Sequence, residues 1–247
     1  MHHEVSFFFH PLNALLTMLL GVPPAGWQKA MGVSGQEGIW LPDHVIMAMT
    51  VVLVITALAV VVRRGLSTER PSTAQQLLEV MVGGVRGLCD DVVGPGHGGP
   101  FVPFITSLAF FIFTANVFGL IFFLQPPTAN TNTTFALAAT AFVFYHVAGL
   151  RAQGFRYFKQ FVGPVWWLFP LMIPLEIISH LARVLSLTLR LFGNIFAEHS
   201  ASGIFLLVVP LFVPAMMGLG VLGATIQTFI FIMLTSVYIS GAVAEEH

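Results

Sequence analysis

The sequence predicts an all-α polytopic membrane protein with about five transmembrane helices and one amphipathic helix on the membrane surface. Of its 247 residues, 56% are hydrophobic and only 9% are charged, whereas soluble domains carry about 25% charged residues. The charges are also unevenly placed, since residues 44–62, 92–150 and 199–244 contain no Asp, Glu, Lys or Arg. About 20 apolar residues in a helix cross the hydrocarbon layer, so these blocks predict several spans. We expect a single membrane domain over residues 1–247 and exclude a soluble enzyme.

Charge and cysteine content exclude further classes of function. Ten basic and eleven acidic residues leave a net charge of −1, so nucleic acid is not an expected partner. The single cysteine, Cys89, permits neither an internal disulfide nor a Cys-rich metal site. We therefore expect no metal and no cofactor. No Lys or Arg precedes the first apolar stretch, so we expect no cleaved signal peptide. Residues 1–39 form the predicted N-terminal segment, which one span separates from the first basic link, so we expect it outside.

The first span and the surface helix follow from where the charges lie. Residues 40–64 begin with Trp40 and end with two arginines around an almost entirely apolar centre, and Trp and Arg are typical of the two membrane interfaces. Residues 71–93 carry four charges among apolar side chains, which indicates an amphipathic helix lying on the membrane. The sequence GPGHGGP ends that helix.

Residues 101–150 predict a helical hairpin with the polar turn QPPTANTNTT between its two helices. The links on either side of the hairpin hold seven of the ten basic residues, and the turn holds none. By the positive-inside rule the links are cytoplasmic, so we expect the N-terminus outside and the C-terminus in the cytoplasm. We interpret His44, His97 and His146, which lie near the predicted interfaces, as structural residues.

Residues 165–243 predict two unusually long helices. The first pattern runs from about residue 165 to 200, interrupted only by Pro170 and Pro174, and would measure about 54 Å. Either each long stretch splits into two spans, or both are strongly tilted helices that form a hairpin. We favour the tilted hairpin because the first stretch has no internal loop, and we place its turn at residues 200–203.

A polar stripe follows the first of these long helices. Its members recur at steps of three or four residues, the spacing that keeps side chains on one face of a helix. Ionisable groups at membrane depth are costly and usually mark an ion path or a charge pair. The stripe consists of Glu176, Ser179, His180, Arg183, Ser186, Arg190, Asn194 and Glu198.

Arg190 is the most unusual member of the stripe, because its own helix offers no acid within one turn. We expect its counter-charge to come from a carboxylate of a partner subunit, in preference to an ion pair within this chain. Gly193, Ala197 and Ala201 form a ladder of small residues beside it. Such a ladder permits the close approach of another helix.

The Glu176–Arg183 spacing and the residue Gln227 each have a structural explanation beside the functional one. Glu176 and Arg183 are spaced so that an internal salt bridge is as good an explanation as an ion path, since helix ends are wet and long side chains reach water. Gln227, in the otherwise apolar final helix, is explained equally well by a hydrogen bond to a neighbouring helix. The sequence alone leaves both alternatives open.

Several motifs resemble subunit a of the F-type ATP synthase. The strongest are SLTLRLFGNIFAEH at 186–199 and QTFIFIMLTSVYISGAVAEEH at 227–247. The likeness covers about residues 40–247. The supporting motifs are NVFGL at 116–120, PTANTNTT at 127–134 and PLEIISHLARVLSL at 174–187.

The resemblance implies a non-catalytic stator subunit of a bacterial inner membrane, whose long tilted helices lie against a rotating ring of c subunits. It also implies binding to b-type subunits of the peripheral stalk. Ions enter such a subunit by one half-channel, neutralise a ring carboxylate and leave by a second half-channel. By the same resemblance, Arg190 matches the essential arginine, Asn194 its companion amide, Gln227 the glutamine of the last helix and Glu176 the upstream acid.

The sequence departs from that family at two places. His199 stands where many members have Glu, and the acid Glu198 precedes it. Members with His at this position usually carry a compensating acid on the last helix. The corresponding residue here is Gly220, so that acid is absent. Because only Glu198 continues the stripe, we expect it to serve the external half-channel together with His199. Asn130 stands where Asp is frequent. The residues expected along the opposite path are Glu176, Ser179, His180 and Asn194.

General electrostatics supports the implied mechanism. Arginine does not lose its proton in proteins, so Arg190 acts as a fixed charge. A carboxylic acid in lipid stays protonated, whereas beside an arginine its pKa falls by about 1 to 3 units. Two alternatives are a self-contained proton-coupled transporter and a purely structural scaffold. A self-contained transporter is expected to contain internal repeats, but the polar stripe is not repeated in the first half of the sequence. A structural scaffold would not need an unpaired arginine at mid-depth.

Overall fold

The computed structural model describes residues 9–24, 31, 39–67, 70–120, 125–154, 157, 169–208, 211 and 213–243. Within these ranges the chain is helical and contains no strand. The helices are α1 (Phe9–Leu20), α2 (Asp43–Arg64), α3 (Thr73–Val93), α4 (Val102–Phe118), α5 (Thr131–Gln153), α6 (Phe169–Val208) and α7 (Val213–Val243). Five of them, α2 and α4 to α7, are long and apolar enough to cross a membrane. The predicted all-α polytopic fold is confirmed.

Helices α2 and α3 begin and end where the sequence signals lie. Helix α2 has Asp43 in its first turn and two arginines in its last, which suits the dipole of a helix. The Ser72 hydroxyl accepts a hydrogen bond of 3.2 Å from the Gln75 amide and caps α3. After α3 the chain turns back so closely that a Cβ atom on Gly98 would lie 2.7 Å from the Cys89 carbonyl carbon. Only glycine fits this approach.

Helices α4 and α5 form the predicted hairpin, whose turn carries a short 3-10 segment, Pro127–Ala129. The Asn130 side chain caps α5 by accepting a hydrogen bond of 2.9 Å from the Asn132 amide. The same side chain lies 3.3 Å from His44 at the start of α2, measured from Nδ2 to Nδ1. Thr128 donates a hydrogen bond of 3.0 Å to Asn116 near the end of α4. The turn therefore joins three spans at one end of the molecule.

Helices α6 and α7 are each continuous, with 40 and 31 residues. At 1.5 Å per residue α6 measures about 60 Å, so only a helix inclined to the membrane normal keeps most of its length within the apolar layer. The alternative in which each stretch splits into two spans is excluded. The start of the predicted pattern, residues 165–168, lies outside the described residues.

The predicted turn at residues 200–203 is wrong, because these residues lie inside α6, which continues to Val208. Their sequence, Ser-Ala-Ser-Gly, contains no proline, and one glycine costs a helix only about 1 kcal/mol. Pro210 and Pro214 follow a few residues later. Proline lacks the amide hydrogen that a continuing helix needs, which favours a break there instead.

Helix α7 lies at the centre of the bundle and contacts α3, α4, α5 and α6. Two apolar clusters surround it, one around Ile232 and Ile239 and the other around Phe231 and Leu191. Its buried hydroxyl groups are satisfied within the helix itself: Thr228, Thr235 and Ser236 each donate to the carbonyl oxygen four residues earlier, at 2.7 to 2.8 Å. A few polar residues therefore fit into an apolar helix without needing water.

Helix α1 lies within the predicted external segment 1–39, for which no element was predicted. The structure describes residues 9–24, 31 and 39 of that segment. Asn13 fastens α1 to the start of α2, because its Oδ1 accepts hydrogen bonds from the amides of Trp40 and Leu41 at 2.8 and 2.9 Å. Its Nδ2 donates to the Leu41 carbonyl oxygen at 3.0 Å.

Candidate functional site

Asn194 and Gln227 join the two long helices at the centre of the candidate site. The Asn194 Nδ2 donates a hydrogen bond of 2.8 Å to the Gln227 Oε1. Gln227 is 1% exposed, and its own Nε2 has no hydrogen-bond partner among the described residues. The contact confirms that Gln227 bonds a neighbouring helix, and its free amide hydrogens leave it able to bind a further group.

Glu198 lies against Gly220, one turn of α6 beyond Asn194. A Cβ atom on Gly220 would overlap the Glu198 Oε1 and the Leu120 side chain, and one on Gly223 would lie 3.8 Å from the other carboxylate oxygen. Glu198 is half-buried. Its carboxylate therefore occupies the space that a side chain at position 220 would fill.

A cavity of about 210 Å³ lies between α6 and α7 at this place. Asn194 and Glu198 line it from α6, and Gln227 lines it from α7. The rest of the wall is apolar or glycine: Ile195, Met216, Leu219, Gly220 and Gly223. A space of this size, with three polar side chains converging on it, can hold several water molecules. His199, the neighbour of Glu198, is exposed on another side of α6.

Arg190 is half-buried on α6, four residues before Asn194. Over the residues that the structure describes, no hydrogen bond and no ion pair engages its guanidinium group. The helix surface beside it is open, since a Cβ atom on Gly193 would meet no atom within 4 Å and Leu189 is 53% exposed. Among the residues that the structure describes, none supplies a counter-charge for Arg190.

Glu176 and His180 lie in contact near the start of α6. The His180 Nε2 lies 3.2 Å from the Glu176 Oε1, within ion-pair range but away from the direction of a linear hydrogen bond. His180 is 6% exposed. Its Nδ1 is 2.8 Å from the hydroxyl oxygen of Tyr145 on α5. His180 therefore connects the stripe to the hairpin.

Arg183 lies over the ring of Tyr238 on α7, with 5.2 Å between the guanidinium carbon and the ring centroid. Such cation–π contacts stabilise by about 0.5 to 1 kcal/mol where exposed and more where water is excluded. Among the described residues Glu176 pairs with His180 and not with Arg183, so the salt bridge considered from the sequence is not formed.

Tyr157 is not among the predicted site residues, and His146 was predicted to be structural. His146 Nδ1 lies 2.6 Å from the Tyr157 hydroxyl oxygen. The His146 ring is 4.8 Å from the His180 ring, centroid to centroid. The only signal in the sequence was the polar pair Tyr145 and His146 inside an apolar span, and nothing local showed that it faces α6.

The two acids of the stripe lie at opposite ends of the bundle. Glu176 lies beside the C-terminal half of α5, which ends near Arg151; we call this the link end. Glu198 lies with Gly220 and Leu120, and α6 also contacts the Pro127–Ala129 turn; we call this the turn end. Along α6, Arg190 is about 21 Å from Glu176 and about 12 Å from Glu198. The unpaired cation therefore separates two polar regions.

Comparison with known proteins gives the family. The sequence model of the ATP synthase A chain family matches residues 44–240. The chain belongs to this family. It is 47% identical to ATP synthase subunit a 1 of Syntrophotalea carbinolica over 83% of this chain and 87% of that protein. It is 44% identical to ATP synthase subunit a of Trichlorobacter lovleyi over 83% of this chain and 89% of the relative.

Membership of the ATP synthase A chain family favours the predicted function as an ATP synthase stator subunit over a self-contained transporter. The matched residues 44–240 include every predicted site residue and all but the outermost residues of the five spans, which extend from Asp43 to Val243. Helix α1 lies outside the match. In the parts of the chain that the structure describes, no group of three or more His, Cys, Asp or Glu side chains is placed to bind a metal ion.

Proposed function

We propose that this protein is the ion-translocating stator subunit of an F-type ATP synthase. In this role it provides two half-channels to a rotating c-ring and couples proton flow to rotation and ATP synthesis, without being the catalytic subunit itself. The observation that carries the proposal is Arg190: a half-buried guanidinium, without an ion pair among the described residues, on an open helix surface. A lone charge at membrane depth is costly unless it has a use.

The proposed partner of Arg190 is a carboxylate on each c subunit. In lipid that carboxylate is protonated, because an apolar surrounding raises the pKa of an acid. As it passes Arg190 the positive charge favours the ionised form, and the proton leaves. Because a guanidinium does not give up its own proton, Arg190 also prevents protons from passing straight between the two half-channels.

The two polar regions on either side of Arg190 are the proposed half-channels. At the turn end, Glu198 and the cavity beside Asn194 and Gln227 form the external half-channel, with His199 next to Glu198 in sequence. Asn194 was expected along the opposite path, and we reassign it because it lines the same cavity as Glu198. At the link end, Glu176 and His180 form the cytoplasmic half-channel. The contact of its guanidinium with the Tyr238 ring holds Arg183 near this half-channel. A proton that enters by one must travel with the ring to reach the other.

The basic links orient the proposed subunit in a bacterial plasma membrane, with the N-terminus outside and the C-terminus in the cytoplasm. The open surface of α6 around Leu189 and Gly193 is the proposed contact with the c-ring. The b-type subunits of the peripheral stalk are the second proposed partner, and lipid surrounds the rest. The bundle forms a single membrane domain in this proposal.

Replacement of Arg190 tests the proposed function. Arg190→Ala is expected to leave the ATP synthase assembled but to abolish ATP synthesis driven by an imposed proton gradient in reconstituted vesicles. Arg190→Lys is expected to fail or nearly fail, because an ammonium is compact and can lose its proton. The matched control is Arg86→Ala, which removes an exposed arginine of α3. Vesicles with Arg190→Ala that still make ATP would refute the proposal.

A further inference from the structure

The Asn13 side chain attaches helix α1 to the residues that precede the first span. Its Oδ1 accepts hydrogen bonds from the amides of Trp40 and Leu41, at 2.8 and 2.9 Å. Its Nδ2 donates to the carbonyl oxygens of Phe9 and Leu41, at 3.1 and 3.0 Å. Asn13 is 4% exposed. An amide side chain has two donor hydrogens and two acceptor lone pairs, so all four are satisfied inside the protein.

Trp40 also holds the C-terminal end of α1. Its indole Nε1 donates a hydrogen bond of 3.0 Å to the carbonyl oxygen of Gly21, the residue after the last residue of the helix. Gly21 has a φ of +80° and ends the helix, a conformation that glycine adopts without strain. Because Asn13 and Gly21 both contact Trp40, this part of α1 lies alongside the tryptophan.

The depth of α1 in the membrane follows from helix α2. Helix α2 has 22 residues and measures about 33 Å, close to the hydrocarbon thickness of about 30 Å. Trp40 directly precedes α2 and therefore lies at the membrane interface, where tryptophan is enriched. Helix α1 has 12 residues and measures about 18 Å, so it is too short to cross. It is held at the interface where α2 begins.

The polarity of α1 is the reverse of that of a helix on the surface of a soluble domain. Beyond its first turn, its polar side chains are Asn13, which is buried, and half-buried Thr17, which follows four residues later on the same side. The opposite face carries Leu15, Met18 and Leu19, which are 53%, 88% and 71% exposed. A helix that faces water shows polar residues there instead. This outer face is therefore suited to hydrocarbon.

The absence of charge indicates which part of a lipid this face contacts. Residues 5–28 contain no Asp, Glu, Lys or Arg. Helices that lie among anionic headgroups carry Lys and Arg on a polar face, and the predicted surface helix α3 carries four charges. Helix α1 has no such face to turn toward the headgroups. The acyl chains are the part of the lipid that matches its exposed side chains.

We propose that α1 lies in the leaflet where α2 begins, with Leu15, Met18 and Leu19 in contact with acyl chains close to the headgroups. The contact needs no anionic lipid. It adds a membrane-interface helix to the N-terminal segment, outside the residues 44–240 that match the family. Through Asn13 and Trp40, this helix fixes the depth at which α2 enters the membrane. The inference does not depend on the proposed function.

The test places a fluorophore on the exposed face of α1 in the ATP synthase assembled with this chain. Met18→Cys is labelled with bimane, and the complex is reconstituted in nanodiscs of phosphatidylcholine brominated either near the headgroup or near the chain end. We expect bromine near the headgroup to quench most of the emission, and bromine near the chain end to quench less. Added phosphatidylglycerol, which is anionic, should leave the quenching unchanged.

Two further variants complete the experiment. Leu15→Cys repeats the measurement on the same face, so that a disturbance at either position does not decide the result. His97→Cys, at an exposed histidine in the loop after α3, is the aqueous control and should be quenched by iodide in solution. The unsubstituted complex, in which Cys89 of this chain is buried, gives the background emission.

Three results would overturn the inference. Quenching of both α1 labels by iodide and not by bromine would place this face in water. Protection from both quenchers would show that another subunit covers it. Bromine quenching that appears only with phosphatidylglycerol would show that headgroup charge, and not the acyl chains, holds the helix.

Discussion

The carboxylate of Glu198 on α6 lies in the space that a side chain on Gly220 of α7 would occupy. This relationship predicts that Gly220→Ala displaces Glu198 from the cavity between the two helices. Both overlapping groups are the far ends of flexible side chains, Glu198 and Leu120, so they can move aside without unfolding the bundle. We expect slower ATP-driven proton pumping in membrane vesicles, with the subunit still assembled.

Gly218→Ala is the matched control for Gly220→Ala. A Cβ atom on Gly218 would meet no atom within 4 Å, so we expect pumping at the wild-type rate. A second comparison is Glu198→Ala with and without Gly220→Ala: once the carboxylate is absent, only the overlap with Leu120 remains, and Gly220→Ala should slow pumping little further. Equal pumping by Gly220→Ala and Gly218→Ala would contradict the importance of this contact.

The two acids of the stripe are expected to differ in effect. Glu198 lines a cavity that few other polar groups share, whereas Glu176 lies beside His180 in a cluster with other proton-exchanging groups. Glu198→Gln is therefore expected to slow proton transport more than Glu176→Gln, by about tenfold or more against wild type. The measurement is proton-driven ATP synthesis in vesicles, with His199→Ala in parallel. The assignment of the external half-channel is wrong if all three variants match wild type.

Cysteine labelling tests the predicted orientation. Thr131→Cys, at the exposed start of α5, should react with a membrane-impermeant maleimide from outside, and Ala74→Cys on exposed α3 should react from the cytoplasm. Native Cys89 is buried, and burial raises the pKa of its thiol. Less thiolate is then present at neutral pH, so Cys89 should react slowly, and faster as the pH rises. Labelling of Thr131→Cys only from the cytoplasm would reverse the topology.

The positions of the spans could be predicted from the sequence because the membrane imposes a minimum length of apolar helix. Residues 40–64 and 101–150 were sufficient to place α2 and the hairpin of α4 and α5. The end of α6 could not be placed, since Ser-Ala-Ser-Gly is compatible with both a turn and a helix. Helix α1 was missed because it is short, and its attachment depends on Asn13 reaching Trp40 and Leu41.

Helical spacing predicted the candidate site only where its residues share one helix, and Gln227 on α7 was added by the family resemblance. The stripe from Glu176 to Glu198 follows from helical spacing, and Arg190 stood out because no acid lies near it in sequence. The contacts of Glu198 with Gly220, and of His146 with Tyr157 and His180, join different segments. Such contacts depend on how the helices cross, which local sequence does not specify.

Helix α7 follows all four of the helices that it contacts, so it is synthesised after them. The bundle cannot close around Phe231 and Ile239 before α7 has left the ribosome. Until then α3 to α6 lack their common neighbour. The order of these helices along the chain thus makes synthesis of α7 a condition for closure of the bundle.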